Sequence, residues 1–306
     1  MSRKSWPFYL LVLLIFAALP VGWYVFLARP PPAPPPPPPA PEIVEAPQPV
    51  KVHLDGIEGT VEIRNPDGTW RAVARSDELR SADVIRTGER SSARLVGSDA
   101  WEVLMSSGTE VTVGELTASI SRLMLANGMA TATVRGEARH TFEVRAAGSD
   151  AVARTRSGVF AMSNDGTGTV AVGTREGEVE LAAGGKVVIV RAGQQSLVRA
   201  GQAPSDPTSV PSSLLLKVKW PDRRLTRSRR LIVAGDTEPG AHVEVLGKVI
   251  TADGNGRFSQ SVQLSEGKNV VEVRATSVGG TTAKSDADLQ VDTRGPGIGI
   301  DQNLWE

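Results

Sequence analysis

Ile57-Glu58-Gly59-Thr60-Val61-Glu62-Ile63 runs on to the turn pair Asp67-Gly68. Val61 and Ile63 fall on one face of an extended chain and Glu62 on the other, because successive strand side chains alternate. The same period returns at Val111 and Val113, Phe142 and Val144, Val170 and Val172, and Val179 and Leu181. Turn residues bound these blocks at Gly88, Gly108, Asp165-Gly166 and Gly184-Gly185, as short strands require. From Val50 onward the expectation is therefore all-β: a roll, solenoid or sandwich. One stretch fits two periods. Leu116, Ile120, Leu123 and Met124 make a helical face, while Leu123 and Leu125 make a strand; a strand around Leu123 is expected.

Outward toward the C-terminus, Ala203 to Ser213 is rich in Pro, Ser and Asp and reads as a linker. Leu214 to Thr293 reads as a small sandwich. Leu231-Ile232-Val233, Val243 and Val245, Phe258, Val262 and Leu264, and Val271, Val273 and Ala275 mark its strands. Its turns fall at Glu238-Pro239-Gly240, Asp253-Gly254-Asn255-Gly256 and Glu266-Gly267.

Toward the N-terminus the character changes. Phe8 to Leu27 carries no charge over 20 residues, enough helix to cross about 30 Å of hydrocarbon. Trp6 and Tyr9 flank one end and Trp23 and Tyr24 the other, the pattern of interfacial belts. Pro20 is tolerated in a membrane helix. A cleaved signal peptide is the alternative, but the apolar run is long for one and no A-x-A site follows it. Arg3 and Lys4 place the N-terminus in the cytoplasm, with Arg29 as a counterweight on the other flank. Pro30 to Pro49 is a polyproline spacer with a reach of roughly 60 Å. The expected order is a cytoplasmic tail (1–7), a transmembrane helix (8–27), a proline-rich linker (28–50), a β domain (51–202), a linker (203–213), a sandwich (214–294) and a flexible tail (295–306). The expected location is the bacterial inner membrane, single-pass, with the bulk periplasmic.

The ordered blocks carry a resemblance. Ile57 to Ile63, Gly68-Thr69-Trp70, Leu79, Asp83-Val84-Ile85-Arg86-Thr87-Gly88 and Ser92-Ala93-Arg94-Leu95 are followed by Thr141 to Arg145, Arg175-Glu176-Gly177-Glu178-Val179 and Arg191-Ala192-Gly193-Gln194-Gln195. This set resembles the FecR-type domain, named after the ferric-citrate regulator, over roughly Val52 to Arg199. The resemblance implies an all-β extracytoplasmic module. It departs from the family in three ways. Only a few residues precede the membrane helix, where FecR regulators hold an anti-sigma segment. No signalling domain is evident after the module. Arg156-Ser157-Gly158-Val159-Phe160 stands where the family tends to show Arg-Gly-Thr-x-Phe. Iron-transport signalling is not carried over. Separately, Gly235-x-Thr237-x-Pro239-Gly240-Ala241-x-Val243, with Asp253-Gly254-x-Gly256-x-Phe258 and Glu266-Gly267-x-Asn269, is similar to bacterial immunoglobulin-like repeats.

Composition restricts the chemistry. The 306 residues hold 34 Lys+Arg, 34 Asp+Glu and no Cys. A balanced charge does not suit a general nucleic-acid binder, and without Cys there is no thiol nucleophile or thiolate zinc site. His53, His140 and His242 lie far apart, and no G-x-S-x-G elbow is present. Asp253-Gly254-Asn255-Gly256 reads as a turn rather than a calcium loop. Gly295, Gly297 and Gly299 lack the strand-to-helix setting of a phosphate cradle. Arg86-Thr87 reads as the polar closure of a tight turn. Arg223, Arg224, Arg227, Arg229 and Arg230 form the one dense charge cluster, a candidate contact for an anionic partner or a solvated edge. The function expected is non-catalytic, without metal or cofactor. It is a membrane-anchored envelope protein that binds other proteins or cell-wall glycan, with a FecR-like regulator of transmembrane signalling as the alternative.

Overall fold

A computed structural model describes residues 6–27, 51–65, 67–73, 77–97, 100–117, 119–136 and 140–294. The proline-rich linker, the tail after Arg294 and most of the expected cytoplasmic tail lie outside the described residues. The chain divides into two compact units, one holding the helix and one spanning Pro47–Glu306.

The first unit contains α1 (Trp6–Phe26), shifted by one or two residues from the expected span and containing Pro20. It is long and apolar enough to cross a membrane. All its side chains are exposed, a large apolar surface that water does not favour.

The second unit is almost wholly β. Its first part comprises β1 (Val52–Glu58), β2 (Val61–Arg64), β3 (Trp70–Ala72), β4 (Glu78–Leu79), β5 (Val84–Thr87), β6 (Ser92–Gly97), β7 (Trp101–Met105), β8 (Glu110–Leu116), β9 (Ile120–Val134), β10 (Thr141–Ala146), β11 (Val152–Thr155), β12 (Gly158–Asn164), β13 (Val170–Ala183), β14 (Lys186–Arg191), β15 (Gln194–Val198) and β16 (Thr208–Ser209). Two hydrogen-bonded layers form. One runs β4-β1-β6-β7-β9-β12-β13-β15-β16. The other runs β3-β2-β5-β8-β9-β10-β11-β13-β14. The long strands β9 and β13 belong to both. Residues 120–125 of β9 pair with β10 and residues 128–134 with β12. Gly128 sits at that crossing with φ +89°, and a Cβ there would lie 2.5 Å from Thr109 Oγ1. Only glycine accepts both the dihedral and the approach. Leu116 ends β8 and Ile120 begins β9, so the ambiguous stretch is extended around Leu123 rather than helical, with Leu123 and Leu125 turned into the core.

That core is centred on Trp101, Phe142 and Phe160. Trp101 and Phe142 rings meet at 5.1 Å. The buried indole Nε1 donates to Ser121 Oγ at 2.9 Å, satisfying a polar atom that burial would otherwise penalise.

Residues 203–213 are tied to this layer system. β16 pairs with β15, Ser205 N donates to Leu197 O at 2.9 Å, and Lys186 Nζ reaches Asp206 at 2.8 Å.

The second part packs a three-stranded sheet, β17-β19-β22, on a five-stranded one, β18-β24-β23-β20-β21. These strands are β17 (Leu216–Lys219), β18 (Leu225–Thr226), β19 (Arg230–Thr237), β20 (His242–Val245), β21 (Lys248–Thr251), β22 (Arg257–Gln263), β23 (Gly267–Thr276) and β24 (Thr282–Val291). Val233, Val243, Val245, Phe258, Val271, Val273 and Leu289 fill the space between them. On β23, exposed Glu272 and Arg274 alternate with buried Val271, Val273 and Ala275, as a half-buried strand requires.

The two parts are packed against each other. Met129, Ala161, Ala171 and Val278 form a shared buried cluster. Ser163 Oγ donates to Gly240 O at 2.6 Å, Arg199 Nε to Gly254 O at 2.9 Å and an Arg90 guanidinium nitrogen to Leu246 O at 3.2 Å. Small residues at 161, 171 and 240 let the backbones approach.

Candidate functional site

The outer face of the second layer carries a cross-strand row of charges. Cross-strand register places Arg122 opposite Glu143, Glu143 opposite Arg154, and Arg154 opposite Glu180. Directly opposed residues of unlike charge attract, so the row is built by pairing alone. Arg145 lies two residues along β10 on the same face as Glu143.

Glu143 is the pivot. It faces outward from the core side of β10, yet it is only 1% exposed. Three arginine Nε groups cover it: Arg122 at 2.7 Å, Arg145 at 2.5 Å and Arg154 at 2.7 Å. Burial pushes its carboxyl upward, but the hydrogen bonds from Arg145, Arg154 and Arg122 outweigh that and hold it at about 2. Arg122 also reaches Glu115 at 2.8 Å, and its own pKa is raised, first by the Glu143 hydrogen bond.

An open groove of about 700 Å³ follows this row. It is lined by the Ser119, Thr141 and Ser157 hydroxyl side chains, Arg156, Glu178 and Glu180, besides the row itself. The Nε atoms of the arginines are committed to Glu143, so outward hydrogen bonding falls to the remaining guanidinium nitrogens and the hydroxyls. Such a surface offers donors and acceptors suited to polar or mixed-charge groups. Among the described residues no group of His, Cys, Asp and Glu is arranged to hold a metal.

None of these row residues stood out in the sequence as a site. Those that did lie elsewhere. The five arginines 223, 224, 227, 229 and 230 are exposed and surround β18. Arg229 ion-pairs with Glu266 at 3.3 Å. Arg86 bonds Glu62 at 2.7 Å and stacks over Trp70 at 3.9 Å, with Arg64 on the same ring at 4.8 Å. Thr87 Oγ1 donates to Ser106 O at 2.6 Å and accepts from Thr109 N at 2.9 Å, closing a turn. Asp253 Oδ1 accepts the Asn255 and Arg257 amides, the bonding of an Asx turn. His53 is exposed, whereas His140 and His242 are buried in different parts. Burial alone lowers the His242 pKa to about 4, and its Nδ1 has no hydrogen-bond partner among the described residues.

Residues 83–180 match the family described as FecR protein. The matched span is about a third of the chain and includes Arg122, Glu143, Arg145, Arg154 and Glu180, the whole charge row. No curated protein matches the chain. Two solved structures of a candidate anti-sigma factor from Parabacteroides distasonis are similar at 20% and 19% identity, each with a TM-score of 0.36 over 41% of this chain. The chain spans 59% of the length of those structures. A polysaccharide lyase aligns over 81% of this chain and 40% of its own, at 8% identity and a TM-score of 0.19.

Proposed function

We propose that this chain is a FecR-like regulator of transmembrane signalling, anchored by α1, with its β unit outside the cytoplasm. The FecR match over residues 83–180 carries this reading. It favours the regulator over the expected role in envelope adhesion or glycan binding. In the proposed mechanism the β unit receives a protein partner, without catalysis, metal or cofactor, and nucleic acid is not a ligand. The buried contacts between its two parts, such as Ser163 with Gly240, support transmission of a load on one part to the other. The Arg122–Glu143–Arg154 face, lying inside the matched span, is the surface proposed to meet the partner.

The test is cross-linking in intact envelopes followed by capture of the full chain. Co-purification of a sigma factor or of its inner-membrane regulator, lost when Arg122, Arg145 and Arg154 are replaced by Ser, supports the reading. Capture of wall fragments or envelope-assembly proteins alone returns the adhesion role. Saturable glycan turnover by residues 47–306 contradicts both. For topology, protease added to spheroplasts is expected to cut beyond Pro49.

A further inference from the structure

The position of the arginine cluster in the sandwich gives it a meaning that its sequence alone does not. The sandwich touches the first β part mainly at one pole, and the turn after β20 adds a contact partway along its length, level with Glu272. The turn at 238–240 meets Ser163 and Ala171, Leu246 meets Arg90, Gly254 meets Arg199, and Val278 meets Gly173. Strand direction then fixes the opposite pole. β19 runs from Arg230 to Thr237, ending at the contact pole. Arg230 is paired with Gln263, and Gly267 with Val291. The segments 223–230, 263–267 and 291–294 therefore form the far end, about 30 Å away along the ten residues of β23.

That far end is basic and apolar together. Arg223, Arg224, Arg227, Arg229 and Arg230 are all exposed there. Arg229 is paired with Glu266 and Arg294 with Asp292. Arg223, Arg227 and Arg230 have no carboxylate within ion-pair reach among the described residues. Between Arg224 and Arg227 stands Leu225, 57% exposed. None of the segments 223–230, 263–267 and 291–294 lines the groove of about 700 Å³. A flat anionic surface with an apolar interior beneath it satisfies both features, because guanidinium forks bind phosphate while a protruding leucine enters the acyl boundary.

We infer that the tip formed by Arg223, Arg227 and Arg230 around Leu225 docks on a membrane surface carrying anionic phospholipid headgroups. The inference is independent of the regulator reading, since it concerns the sandwich and not residues 83–180. Each exposed arginine adds on the order of 1 kcal/mol of attraction near such a surface, so loss of three is expected to weaken binding roughly 100-fold.

The β unit has its own closed cores and is expected to fold without α1, so residues 47–294 serve as the probe. Co-sedimentation is measured with vesicles of phosphatidylcholine alone and with 30% phosphatidylglycerol or phosphatidylserine. The expected result is binding to the anionic vesicles only, falling steeply between low and high salt. R223S/R227S/R230S should lose it, and Leu225→Ser should weaken it while leaving the thermal transition unchanged. Equal binding by the triple variant overturns the inference. So does binding to a soluble polyanion, heparin, that matches vesicle binding and is indifferent to Leu225→Ser, because that result identifies a charged polymer instead of a bilayer.

Discussion

Replacing Glu143 by Gln keeps the shape of the side chain and removes its charge. Three guanidinium groups would then face one another around a neutral amide. The energetic consequence follows from the ionisation of the carboxyl. Its pKa of about 2 in the fold, against an ordinary 4.5, corresponds to roughly 3 kcal/mol favouring the ionised native state. The three arginine side chains are 28%, 43% and 45% exposed, so water screens part of this, and a loss of about 1–2 kcal/mol at pH 7 is expected. The pH dependence is the sharper discriminator. A carboxyl whose pKa is depressed on folding stabilises the native state above its unfolded value and loses that contribution as pH falls toward the folded one. The stability gap between wild type and Glu143→Gln should be full above pH 5 and close between pH 4.5 and 2. Urea unfolding of residues 47–306 at several pH values, followed by far-ultraviolet circular dichroism, measures it. A gap below about 0.3 kcal/mol at pH 7, or one that does not change with pH, refutes the reasoning.

Gly240→Val places a Cβ 2.6 Å from the Ala171 Cβ at a φ of +74°, so it should separate the two parts; calorimetry is expected to show two transitions in place of one. His242 has a pKa lowered to about 4 by burial, so the unfolded chain binds the extra proton between pH 6.5 and 4 and stability is lost as pH is lowered through that window, by up to roughly 3 kcal/mol; His242→Asn should flatten that part of the pH–stability curve, and an unchanged slope counts against it. Trp70→Ala removes the ring stacked by Arg64 and Arg86 at a partly exposed site, with an expected cost of about 0.5–1.5 kcal/mol in urea unfolding; a loss above about 3 kcal/mol means that Trp70 is not a surface residue in solution.

The strands were legible because one face of each is buried, and burial writes a two-residue period into the chain. Val61 and Ile63, Phe142 and Val144, and Val179 and Leu181 all point into the core. The helix was legible from Phe8 to Leu27 because its composition is uniform. The charge row was not. Glu143 and Arg145 look like any solvent face, and only the parallel pairing of β10 with β9 brings Arg122 alongside. Register between strands twenty residues apart is a tertiary property that no local pattern records. The packed interface was equally hidden, since Ala161, Ala171 and Gly240 are too small to mark a hydrophobic period. Pro, Ser and Asp in 203–213 gave that segment a linker's composition, but β16 and the Lys186–Asp206 pair tie it to the first part. The arginine cluster was visible by charge, while its place at the far pole depended on strand direction.

The proposed role is regulation of signalling across the membrane. The direct measurement is transcript profiling of a deletion strain, complemented by the full chain or by a form in which α1 is replaced with a cleavable signal peptide. One coherent sigma-dependent set of genes is expected to shift on deletion and to return only with the anchored chain. Unaltered transcription in the deletion strain, or rescue by the unanchored form, contradicts that role.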